Sequence, residues 1–141
     1  MIFEISTLDQ LDSAAVRLLQ DLRPGVVGLT GPLGSGKTTF VKRIAYHLGI
    51  ETEVISPTFL YEQSYLLPRT DREIQFLSHI DLYRLPTDQA RVDLGIECAD
   101  SKTIYLVEWI EHSPLLLNQA LECWNFRLNP GGQRWLNRTL R

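Results

Sequence analysis

The spacing of hydrophobic residues changes several times along the chain, and each change marks a predicted element. Residues 2–5 (IFEI) suit a short strand. Leu8, Leu11, Ala14, Ala15, Leu18, Leu19 and Leu22 then recur at three- and four-residue steps, the pattern of one helix face. Thr7 and Gln10 stand ahead of them at capping-box spacing, so this helix has a defined start. Arg23-Pro24-Gly25 breaks it, and Val26, Val27, Gly28 and Leu29 form an apolar run of strand length. Helical period returns with Phe40, Val41, Ile44, Ala45 and Leu48, and Gly49 is placed to end that helix. Residues 56–59 (SPTF) begin an irregular or strand-like stretch. The segment around Pro68 reads as a turn between two strands, of which residues 74–81 are the second. Residues 84–100 are mixed and weakly helical. Residues 103–107 make a compact apolar strand that ends at Glu108 and Trp109. Residues 121–128 and 133–140 flank Asn129-Pro130-Gly131-Gly132, the pattern of a terminal hairpin.

Between the second predicted strand and the second predicted helix lies GPLGSGKT, residues 31–38, which fits G-x-x-x-x-G-K-[ST] at every fixed position. Glycines there let successive backbone N–H groups turn inward as an anion nest, at a helix N-terminus whose dipole also favours negative charge. Leu33, Gly34, Ser35, Gly36, Lys37, Thr38 and Thr39 are the expected phosphate-binding residues. Lys37 reaches the outer phosphates of ATP and Thr38 ligates magnesium. The motif in this context predicts an α/β fold, a P-loop NTPase-like three-layer sandwich with a mixed central sheet and a C-terminal β-hairpin. Residues 1–141 are expected to form a single P-loop ATPase domain, since no repeat or long linker divides them.

A phosphate loop also needs a carboxylate on the metal side, typically from the end of another core strand. Glu108 and Asp81 both end predicted strands, and both are candidates. His79, Asp81 and Tyr83 alternate, which puts them on one face if the strand continues. Such a face lines the nucleotide in one reading and is ordinary packing in the other. Trp109 reads as structural or interface packing.

Bulk composition narrows the classes further. With 44% hydrophobic and 22% charged residues the chain is of ordinary globular composition, and its net charge of -3 disfavours a long direct nucleic-acid footprint. Two cysteines without CxxC spacing exclude a four-ligand zinc site and a disulfide framework. An N-terminus without a basic, apolar signal, and no apolar run approaching ~20 residues, predict a cytoplasmic protein without a membrane span.

GPLGSGKTT, SPTF at 56–59, HIDLYR at 79–84 and VEW at 107–109, in this order and spacing, resemble the bacterial TsaE (YjeE) family. The likeness runs from about residue 26 to residue 111. It implies an ATPase of tRNA threonylcarbamoyladenosine (t6A) synthesis that acts with the TsaB and TsaD proteins. In that scheme TsaC supplies the threonylcarbamoyl adenylate and TsaD transfers it to the adenosine beside the anticodon. tRNA is then met indirectly, and DNA is not a partner. By motif, Lys37, Asp81 and Glu108 match the family's catalytic positions, and Thr38 and Glu108 its metal residues. Thr39 matches the second loop threonine, and the resemblance brings Thr7 near the adenine. Pro32 departs from the acidic residue found there in many relatives, and proline adds no N–H to the nest.

Two other classes compete with this reading. A small-molecule P-loop kinase wants an arginine-rich lid and an acceptor pocket, and no lid is evident in the sequence. A GTP switch wants an Asn-Lys-x-Asp element, which is absent. Arg127, Arg134, Arg138 and Arg141 make the final fifteen residues basic, which reads either as a solvated hairpin or as a patch for RNA or an acidic protein surface.

Overall fold

The structure, a computed structural model, describes residues 1–57, 60–68 and 73–141. Thr58 and Phe59 of SPTF and residues 69–72 of the expected turn lie outside the described residues. Seven strands form one sheet in the order β1-β7-β6-β2-β5-β4-β3. These are β1 (Ile2–Glu4), β2 (Gly25–Thr30), β3 (Glu62–Leu66), β4 (Phe76–Asp81), β5 (Thr103–Glu108), β6 (Glu122–Leu128) and β7 (Arg134–Leu140). The four inner strands β6, β2, β5 and β4 run parallel, while β3, β7 and β1 join antiparallel. The sheet is therefore mixed, as the sequence predicts.

Side chains of the inner strands alternate between two cores. Val27, Leu29, Leu77, Ile104, Leu106, Trp124 and Phe126 pack with α1 (Leu8–Gln20) and α2 (Lys37–His47). Val26, Ile80, Tyr105 and Val107 face the other way, toward Ile110 in a 3-10 turn and Leu116 of α4 (Pro114–Gln119). Strands covered on both faces read as continuous apolar runs, which is why residues 26–29 and 103–107 are legible as strands. The result is the three-layer α/β sandwich.

Local chemistry sets the helix limits. Gln10 N donates to Thr7 Oγ1 at 3.2 Å and Thr7 N donates to Gln10 Oε1 at 3.0 Å, completing the capping box of α1. Beyond α2, Gly49 adopts φ +81°. Gly49 N then donates to Tyr46 O and Ile50 N to Ala45 O, each at 3.0 Å, the paired closure of a Schellman motif. The weakly helical expectation for residues 84–100 shrinks to the short α3 (Asp88–Asp93), capped by Thr87. Helix α4, which the hydrophobic pattern did not reveal, starts with Ser113 as cap and Pro114 in its first turn. Six residues are too few to display a period.

The register aligns the functional edge. Leu29 of β2 and Asp81 of β4 both pair with Glu108 of β5, so the three inner strands end together. Ligands of open α/β sheets bind at this carboxyl edge.

Candidate nucleotide site

Residues 31–36 turn sharply from β2 into α2. Gly34 has φ +74° and Gly36 has φ +110°, left-handed conformations that favour glycine, and Gly36 serves as the N-cap of α2. Gly31, at φ +133°, lies so close to β6 that a Cβ would stand 2.6 Å from the Phe126 carbonyl oxygen. Leu33, Gly34, Gly36, Lys37, Thr38 and Thr39 line a cavity of about 320 Å³, with Ser56, Asp81, Tyr83, Glu108 and Trp109 opposite. Ser35 is not in this lining. It is buried under the loop, where its hydroxyl meets no hydrogen-bond partner among the described residues.

Lys37 is buried although it opens a helix. Its ammonium donates to Gly31 O at 2.5 Å and Pro32 O at 2.9 Å, and it stands 4.5 Å from the centroid of the Trp109 ring. Pro32 thus contributes its carbonyl where it has no N–H to offer. Burial pushes the Lys37 amine below its usual range, against the opposing pull of Glu108, Glu111 and Asp81.

Thr38, in the first turn of α2, donates its hydroxyl to Glu108 Oε2 at 2.9 Å and Oε1 at 3.1 Å. These two residues are far apart in sequence and meet because β2 and β5 are neighbours. On the other side of Glu108, His79 Nε2 lies 2.5 Å from Oε2. Asp81 takes up the remaining side of the cavity and accepts a hydrogen bond from Tyr83 N at 2.9 Å. Because β4 ends at Asp81, Tyr83 is not carried on the strand face that His79 and Asp81 share. It lies in the following turn, its ring 5.1 Å from that of Trp109.

Trp109 reads from the sequence as structural or interface packing, yet the residue borders the cavity. Trp109 adopts φ +60°, rare for a bulky residue and costing about 1–3 kcal/mol where it occurs. Nothing in the residue type announces this. Ser56 of SPTF also lines the cavity, and the string alone assigns it no role. Arg84, the last residue of HIDLYR, is exposed and does not line the cavity. Thr7 sits at the cap of α1 and is likewise outside the lining. β1 runs parallel to β6 through its antiparallel partner β7, so Thr7 does reach the same carboxyl edge of the sheet.

Among the described residues no group of three or more His, Cys, Asp or Glu side chains is placed to hold a metal ion. The oxygen donors Thr38 and Glu108 fit magnesium, which is commonly held by one or two protein oxygens plus substrate phosphates. Cys98 and Cys123 are free and half-buried, and burial pushes the Cys98 thiol up to about 12, as suits packing residues.

Comparison with known proteins places the chain among relatives of one family and one fold. The family model described as "Threonylcarbamoyl adenosine biosynthesis protein TsaE" matches residues 5–138. A protein named tRNA threonylcarbamoyladenosine biosynthesis protein TsaE from Rickettsia bellii is 38% identical over 84% of this chain and 80% of its own length. Its namesake from Treponema pallidum is 40% identical over 84% of this chain and 82% of its own. Among solved structures, that of Bacillus subtilus YdiB superposes with a TM-score of 0.71 at 22% identity. The match covers 99% of this chain and 84% of that one, a likeness of fold.

Proposed function

Because the chain belongs to the TsaE family, we propose that it binds ATP with magnesium and hydrolyses it to drive or reset threonylcarbamoyl transfer to tRNA, acting with TsaB and TsaD. The family's place in tRNA threonylcarbamoyladenosine biosynthesis is carried by its members' names. The observation that carries the ATPase reading is the contact of Thr38 with Glu108 beside a loop of left-handed glycines.

Each residue has a defined task in this reading. Backbone N–H groups of the loop receive the phosphates, and the Lys37 ammonium, already at the loop's centre, exchanges carbonyl contacts for phosphate oxygens. Thr38 gives its hydrogen to Glu108, which leaves the hydroxyl oxygen's lone pairs for magnesium. Bound magnesium would neutralise charge on the outer phosphates as it develops. Glu108 holds the metal side, and Asp81, at the same edge, orients the surrounding water. Transfer to tRNA belongs to TsaD in this scheme, so tRNA is met through the complex. The reading places the protein in the cytoplasm, and no helix among the described residues is long and apolar enough to cross a membrane.

Lys37→Ala tests the site directly. Loss of a charge-assisted contact worth roughly 1.5–3 kcal/mol predicts about 10- to 150-fold weaker ATP binding. Calorimetry would measure it, and an unchanged affinity would remove Lys37 from the site.

A further inference from the structure

We propose that His79 is a positioning residue for the metal-side carboxylate, holding Glu108 in place for Thr38 and magnesium. The proposal rests on the reading of residues 31–38 with Glu108 as a magnesium-nucleotide site.

The geometry comes from register. Asp81 is the direct neighbour of Glu108 across β4 and β5, and His79 pairs with Leu106 one step back on the same face. Glu108 reaches diagonally toward His79, and its Oε2 meets the imidazole Nε2 at 2.5 Å. A carboxylate has no hydrogen to give, so Nε2–H is the donor. The same oxygen also accepts from Thr38. Glu108 is therefore clamped between a histidine on β4 and a threonine at the start of α2.

A buried histidine often does no more than satisfy polar groups in a core, and His79 is 0% exposed. Here the surroundings separate the two roles. Its other ring nitrogen, Nδ1, has no hydrogen-bond partner among the described residues. Among the described residues Glu108 is thus the one polar contact of the ring. Leu77 and Leu106, on the same face, are apolar core residues, so packing alone would be met by leucine. A histidine is needed only for the hydrogen it gives to Glu108. Groups that orient a metal-side ligand in this way commonly tune metal affinity without touching the metal.

The test compares wild type, His79→Leu and His79→Gln, whose side-chain amide can donate from a position near Nε2. Manganese binding to each chain loaded with ADP is followed by electron paramagnetic resonance, and ADP affinity without metal by calorimetry. In His79→Leu, manganese affinity should fall about 10- to 100-fold while metal-free ADP affinity stays as in wild type. His79→Gln should recover most of the loss. Coincident manganese titrations of wild type and His79→Leu would overturn the proposal, as would a glutamine variant no better than leucine. Should His79→Leu not fold, nitrogen-15 spectra of the metal-free wild type decide. The ring must carry its hydrogen on Nε2, with a signal that moves in Glu108→Gln, and a ring indifferent to that change refutes the positioning role. A wild type that binds ADP with no gain from manganese would instead refute the site reading itself.

Discussion

At Glu108 and Asp81 two carboxylates on neighbouring strands receive different partners, and the difference predicts separable effects. Glu108 accepts from Thr38 and His79, whereas Asp81 accepts from the backbone of Tyr83. Glu108→Ala should leave nucleotide binding through the loop largely intact while magnesium-dependent hydrolysis falls about 100-fold or more. Asp81→Ala should also slow hydrolysis, and in addition loosen the turn that sets Tyr83 against Trp109. Steady-state phosphate release and calorimetry on both variants separate these outcomes, and normal turnover in both would make the carboxylates structural. The loop was legible in the sequence because its spacing is local. The link from His79 to Glu108 was not, because it depends on strand register, which no single segment encodes. The positive φ of Trp109 was equally hidden, since nothing about a tryptophan announces it.

Helices α1 and α2 are clasped by a charged group at the rim of their apolar contact. Arg43 donates to both oxygens of Asp12, at 2.6 Å from Nε and 3.1 Å from Nη2, and His47 approaches the same carboxylate at 3.2 Å. The hydrogen bond from Arg43 leads in holding the Asp12 carboxyl below its ordinary value of 3.8, with His47 adding to it and partial burial opposing. The folded chain therefore binds its proton less readily than the unfolded one. Stability from this clasp is fully present above pH 3.8 and is lost as pH falls through the lower folded value. Asp12→Asn should cost roughly 0.5–1 kcal/mol at neutral pH, a few degrees in Tm, and the gap from wild type should close in acid. Thermal melts across pH 2–7 measure this, and a gap that persists below the carboxylate range would deny Asp12 the role. Long periodic elements such as α1 and α2 were readable from spacing and caps, whereas α3 was legible only as a weakly helical stretch over residues 84–100 and the six-residue α4 was too short to show a period.

For the molecule as a whole, Leu33 and Tyr83 stand exposed at the rim of the cavity, where a partner in the proposed scheme would close it. Hydrolysis by the chain alone should be slow and should rise when TsaB and TsaD are added, because in the proposed scheme their interface would supply closure and transition-state charge stabilisation. Phosphate release from the chain alone, with both partners, and with tRNA as well would show it; equal rates in all three would end the coupling idea. The basic C-terminal end looks different in three dimensions than along the chain. Arg138 is buried and bound to Glu122 and Asp21, leaving Arg127, Arg134 and Arg141 as the cations at the surface. Composition cannot distinguish a structural arginine from a solvated one. The strand order has a further consequence for the birth of the protein. β2 lies between β5 and β6, so Thr30 meets Asn125 and Gly31 rests against Phe126. Such distant pairings are slow to form, and a nascent chain forms none of them until the far partner has left the ribosome. The phosphate loop is translated early and acquires its shape late, so a chain stalled before β6 carries the whole motif without the strand that packs against it.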